Sequence, residues 1–193
     1  MCTMKRVLCL LFLLVLVTAI NAQQKPRFST QNSVGLLFGG SDNAPQVQTV
    51  NGIACRNWFA GIGTGIDWYT QRSIPLFLSG NRFFNLGQKR QFFLASGAGA
   101  NFAWGETGAY ISNGWNTYGR TFKPGIYLNA GLGYKMSVGK QNDNLLIQLG
   151  FNNKSHKEIV TSTYPCFNPP CPESKETFNY KFNALSLKFG WGF

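Results

Sequence analysis

The stretch Trp58-Phe-Ala-Gly-Ile-Gly-Thr-Gly-Ile-Asp-Trp68 decides the fold. Its even positions read Trp58, Ala60, Ile62, Thr64, Ile66 and Trp68; its odd positions read Phe59, Gly61, Gly63, Gly65 and Asp67. Strict alternation of this kind is a β-strand, in which successive side chains point to opposite faces. In a water-soluble sandwich, the row turned away from the core would carry Lys, Glu and Thr. Repeated glycine fits a cramped interior instead, where small residues leave room for large neighbours to fill a narrow lumen. The glycine row therefore belongs inside a barrel, and the greasy row faces lipid. The two tryptophans agree with this. At roughly 3.3 Å per residue and a tilt of about 40°, they lie about 25 Å apart along the membrane normal, the height of an outer-membrane apolar band.

The same pattern recurs along the chain. Phe92, Leu94, Ser96, Ala98, Ala100, Phe102 and Trp104 alternate with Phe93, Ala95, Gly97, Gly99, Asn101 and Ala103. Ile126, Leu128, Ala130, Leu132, Tyr134, Met136 and Val138 alternate with Tyr127, Asn129, Gly131, Gly133, Lys135 and Ser137. Marking such runs gives strands at about 33–40, 46–53, 57–69, 73–84, 91–105, 121–138, 144–160 and 176–193. The fold expected is all-β: a closed antiparallel up-and-down eight-stranded transmembrane β-barrel, with no strand edge unpaired in lipid. With the N-terminus in the periplasm, two of the outward connections, 106–120 and 161–175, are long and the inward ones are short, the asymmetry of outer-membrane barrels. Trp58, Trp68, Phe92, Phe102, Trp104, Tyr134 and Trp191 are the expected interfacial girdle.

The chain begins with a targeting signal. Lys5 and Arg6, the apolar run Val7 to Val17 and the small exit ending at Ala22 read as a secretory signal over 1–22, leaving 23–193 as the barrel domain. Of the five cysteines, Cys55, Cys166 and Cys171 would then stand in an oxidising compartment. Cys166 and Cys171 bracket Phe-Asn-Pro-Pro and are expected to form a loop disulfide, with Cys55 a small hydrophobe at an inner turn. Lys and Arg number 18 against 7 Asp and Glu, with one His. That inventory offers little for metal or acid–base chemistry, and no cofactor is expected. Arg72, Arg120, Lys123, Lys154, Lys157 and Lys175, at or near the outer loops, could pair with lipopolysaccharide phosphates. No basic stripe with a recognisable module suggests nucleic-acid binding.

The ending Leu185, Leu187, Phe189, Trp191, Phe193 resembles the C-terminal strand signature of bacterial outer-membrane barrels. The resemblance implies that Phe189, Trp191 and Phe193 are read by the barrel assembly machinery. The stretches Thr49 to Tyr69 and Ser73-Ile-Pro-Leu-Phe-Leu are similar to the small, Gly-rich outer-membrane barrels of Bacteroidota, of the OmpX and OmpA-barrel kind. This likeness implies a location in the bacterial outer membrane.

Inside the barrel, Asp67, Asn101, Asn129, Lys135, Gln148 and Lys188 are expected to point into the lumen, with Asp67 pairing Lys135 or Lys188. Catalysis would need Ser155, His156 and Glu158, near the outer end of the seventh run. Ser155 and His156 point to opposite faces, however, and a nucleophile needs its base within reach. The leading expectation is a non-enzymatic barrel with an envelope-structural or surface-loop recognition role and an unidentified surface partner. The alternatives are a lipid A-modifying acylhydrolase-like enzyme, a narrow pore, or a secretion or gliding accessory barrel.

Overall fold

The computed structural model describes residues 25–40, 42–87, 89–105, 108, 111–112, 117–138, 143–164 and 173–193. The segment 1–22 expected to be a signal, and the Cys166 and Cys171 expected to form a disulfide, lie outside them. The strands are β1 Arg27–Gly39, β2 Asn43–Cys55, β3 Trp58–Asp67, β4 Ser73–Asn85, β5 Arg90–Ala103, β6 Ile111–Ser112, β7 Thr117–Lys123, β8 Gly125–Val138, β9 Asp143–Thr163 and β10 Glu173–Gly192. Each strand of the ring β1-β2-β3-β4-β5-β8-β9-β10 pairs antiparallel with the next, and β10 closes on β1. The backbone groups of Thr30 and Phe193 exchange hydrogen bonds of 2.9 and 3.1 Å, so the terminal residue completes the seam. This is the closed eight-stranded transmembrane barrel.

Several boundaries differ from the sequence reading, each for a physical reason. β1 starts at Arg27 rather than 33, because its ladder with β2 runs to the Arg27–Ala54 pair. β2 has no clean apolar face because its outward row, Val47, Thr49, Asn51 and Ile53, includes two polar side chains that bond to Asn32 and Thr30 of β1, while Gln46 and Gln48 are buried on the inward row. The run 121–138 is interrupted at Pro124. Lys123 pairs Lys157 and Tyr127 pairs Lys154, so the strand carries one extra residue against β9, a bulge. Pro124 brings no backbone donor, and the Ser155 hydroxyl accepts from Ile126 N at 2.9 Å. Gly125 is required there, since a Cβ would run into the Ser155 backbone.

Side chains fill the bore. Toward the end where β1 begins and β10 finishes, Phe59, Phe83, Phe93, Ala95 and Leu146 form an apolar plug; toward the other end, Leu37, Ala44, Tyr69 and Ala184 form a second cluster. The Phe93 ring lies where a Cβ on Gly133 would be, which explains the glycine in that inward row. The opposite row, including Ile62, Leu132, Leu149 and Leu185, is exposed around the circumference.

The girdle residues stand in that outward row at the two ends of the strands. Trp58, Trp68, Phe102, Trp104 and Trp191 are exposed, Phe92 and Tyr134 half-buried. At the end where β1 begins, Arg82 lies 4.6 Å over the Trp58 ring; at the other, Arg72 lies 5.3 Å over Trp104. A guanidinium on an amphipathic ring suits a water–lipid boundary, where one side of the ring is greasy and the other wet.

The two ends are not alike. β9 and β10 stay paired from Asn144–Gly192 up to Thr163–Glu173. By contrast, β1 leaves β10 at Gly39–Ala184. The outer ends of β9 and β10, flanked by β7 and the short β6, therefore stand beyond the barrel mouth as an extension of the same sheet. The expected loop 106–120 is thus partly a β6–β7 hairpin, and the connection expected at 161–175 shortens to 164–172.

Candidate functional site

The inward rows define three levels, running from the outer mouth downward. At the mouth, His156 lies among Phe122, Tyr180 and Phe182, with ring centroids at 6.0, 5.3 and 5.4 Å. Tyr180 and Phe182 are parallel to within 3° at 6.0 Å, and Phe178 continues the row at 6.4 Å from Tyr180. Alternate positions on β10 place these three rings on one face. Glu158 answers Arg120 at 3.4 Å, and His156 Nδ1 has no protein partner. Burial, then the nearby Lys154 ammonium, holds the His156 imidazole below its ordinary range, against the opposing pull of Glu158.

Below the mouth, Lys154 is only 4% exposed and is fully engaged. Its ammonium pairs with the Asp67 carboxylate and donates to Tyr69 O and Gln71 O, each at 2.9 Å, and to Ser73 Oγ at 3.1 Å. Ser73 Oγ in turn donates to Asp67 Oδ2 at 3.2 Å, and Asn101, fully buried, donates to Ser155 O at 3.3 Å. This corrects the expected partners of Asp67. Lys154, taken from the sequence as an outer-rim charge, is the residue that meets it. The readable signal was parity, since Lys154 falls on the same row of β9 as Gln148.

The third level holds Lys188, 5% exposed, whose Nζ donates to Gln48 Oε1 at 2.9 Å. Gln48 Nε2 donates to the Tyr127 hydroxyl at 2.8 Å, and Tyr127 packs on Phe77 at 5.1 Å. Asn129 fills the space over Gly97 and Gln148 that over Gly131. Lys135 stands apart, its ammonium 4.6 Å from the Phe83 ring. Neither Lys135 nor Lys188 reaches Asp67. Cys55 closes β2 beside the turn to β3.

The geometry bears directly on two of the alternatives. Ser155 is on the face opposite His156, its hydroxyl held at the Ile126 backbone, and Glu158 is taken by Arg120. A serine–histidine pair is not made. For a pore, an ion would have to cross both the Lys154–Asp67 level and the Phe59–Phe83–Phe93 plug. Purified protein in planar bilayers is accordingly expected to show no unit conductance steps; steady steps at low voltage would count against the closed bore.

No protein-family model matches the chain. No curated protein matches it in sequence. Solved structures do match in shape. Neisserial surface protein A (NspA) superposes with a TM-score of 0.56 at 12% identity, over 88% of this chain and 98% of that one. The outer membrane protein OprG from Pseudomonas aeruginosa superposes with a TM-score of 0.55 at 9% identity, over 88% and 97%. At such identities the likeness concerns the fold: this chain is built as these small outer-membrane barrels are, with its own side chains in the lumen.

Proposed function

We propose that the protein is a non-enzymatic integral barrel of the bacterial outer membrane that lifts a recognition sheet above the lipid surface. The observation carrying this reading is the length of the β9–β10 hairpin. Residues 173–183 of β10 rise past the last rung shared with β1, roughly 30 Å of strand beyond what spanning requires. That extension presents Phe178 and Tyr180, 42% and 36% exposed, beside the Arg120–Glu158 pair. Aromatic rings ringed by polar groups are the usual anchors of a recognition surface. The short turns at the opposite end would face the periplasm.

The test compares wild type with a Phe178→Ser/Tyr180→Ser variant displayed on a Gram-negative host lacking the protein. Adhesion to cell and matrix surfaces is expected to fall at least tenfold in the variant. The heat-modifiable gel mobility of the folded barrel is expected to be unchanged. Equal adhesion by both, or adhesion no greater than that of the empty host, would leave only the structural role in the envelope.

A further inference from the structure

The two fully buried ammonium groups of the lumen are treated very differently by the fold. Lys154 has a carboxylate, two carbonyls and a hydroxyl around it. Lys188 has one amide oxygen, that of Gln48. A buried charge is stable only when it is neutralised or richly hydrogen-bonded. Among the described residues, no carboxylate is placed to neutralise Lys188. Of the chain's seven acids, Asp67 is the one buried in the lumen among the described residues, and it belongs to Lys154. Asp42, Glu158, Glu173 and Glu176 lie toward the outer end, and Asp143 is exposed at the inner turn.

Lys188 borders a cavity of about 40 Å³ between the Tyr127–Phe77 contact and the Phe93–Leu146 plug. No carboxylate lines it. Its polar lining includes Gln31, Ser33, Ser79, Asn81 and Gln148. Gln31 Oε1 already accepts from Asn81 Nδ2 at 3.1 Å, so what Gln31 has left to offer is its N–H donors. The serine hydroxyls can turn to donate. Asn81 Oδ1 is the acceptor left without a protein partner, a place for water. A water needs about 10–15 Å³ of such space, so the cavity takes a monatomic ion with a water or two and excludes anything much larger.

We propose that this cavity is a halide site, in which chloride is the counter-ion of Lys188 and the amide and hydroxyl donors around it complete the shell. The ion balances the charge that the described carboxylates leave open at Lys188, and it stiffens the barrel by joining β1, β4 and β10 through one centre.

The test is thermal unfolding of the folded barrel in detergent micelles at constant ionic strength, with chloride exchanged for gluconate, an anion too large for the cavity. Chloride is expected to raise the midpoint saturably, by about 5 °C. The rise should disappear in Lys188→Met and persist in Lys188→Arg. Crystals grown with bromide supply a second readout that does not depend on any variant folding. An anomalous peak within hydrogen-bond distance of Lys188 Nζ is expected. Equal midpoints in both anions, or density there without anomalous signal, would mean that water alone fills the cavity and would overturn the proposal.

Discussion

Asp67→Ala is expected to remove about 3–5 kcal/mol from the stability of the barrel, a large share of the total for a domain of this size. Among the described residues the carboxylate is the only negative charge on Lys154, and truncating it leaves that ammonium with neutral acceptors alone. The converse change, Lys154→Met, should cost a similar amount, because Asp67 would be left buried with Ser73 Oγ and the Tyr69 N–H as donors. The Asp67→Ala/Lys154→Met double variant should recover most of the loss, since removing both partners removes the desolvation penalty along with the attraction. Urea titrations of the protein folded in lipid vesicles would measure all four states as a cycle. A loss below about 1 kcal/mol in each single variant would show that water reaches this level and screens the pair.

The same pair marks where reading the sequence reaches its limit. Alternation told which residues point inward, and for Asp67, Asn101 and Lys188 the structure places the side chain in the bore. It could not tell which inward residues meet. Strand tilt and the shear of a closed barrel set two rows facing each other at offsets that no single strand encodes. Asp67 on β3 thus finds Lys154 on β9 and passes by Lys135 and Lys188. Lys154 was hidden by its company, standing with Lys157 near the outer end of the seventh run, where charges read as rim residues, although its parity with Gln148 already set it inside. The bulge was equally hidden. Pro124 announces a break in the ladder, but only the Ser155 hydroxyl on the neighbouring strand shows that pairing resumes one residue out of step. The height of the β9–β10 hairpin was partly legible, since both runs were long. Its aromatic face was not, because Phe178, Tyr180 and Phe182 read as a continuation of the membrane pattern while the register places them above it, on the inward row.

Leu149→Arg tests the assignment of the outward row to hydrocarbon. Leu149 is 64% exposed, midway along the part of β9 that pairs with β8 (Asp143 to Lys154), and pairs with Leu132 and Leu187, both in the same row. If water bathed that face, the substitution would be a surface change within about 0.5 kcal/mol of neutral. Against lipid, an arginine at the midplane should cost about 2–4 kcal/mol, and the cost should fall to about 0–1 kcal/mol near either interface. Val138→Arg, at the inner end of β8, supplies the interfacial comparison on the neighbouring strand. Guanidinium unfolding in thin-acyl vesicles would read both. The depth profile is more telling than either value alone, because loss of strand propensity or of neighbouring contacts would affect both sites alike. A gradient from Leu149 to Val138 follows only if the medium outside the barrel changes from hydrocarbon to headgroup along the strand. A flat profile would mean that the glycine row had been placed inside for the wrong reason.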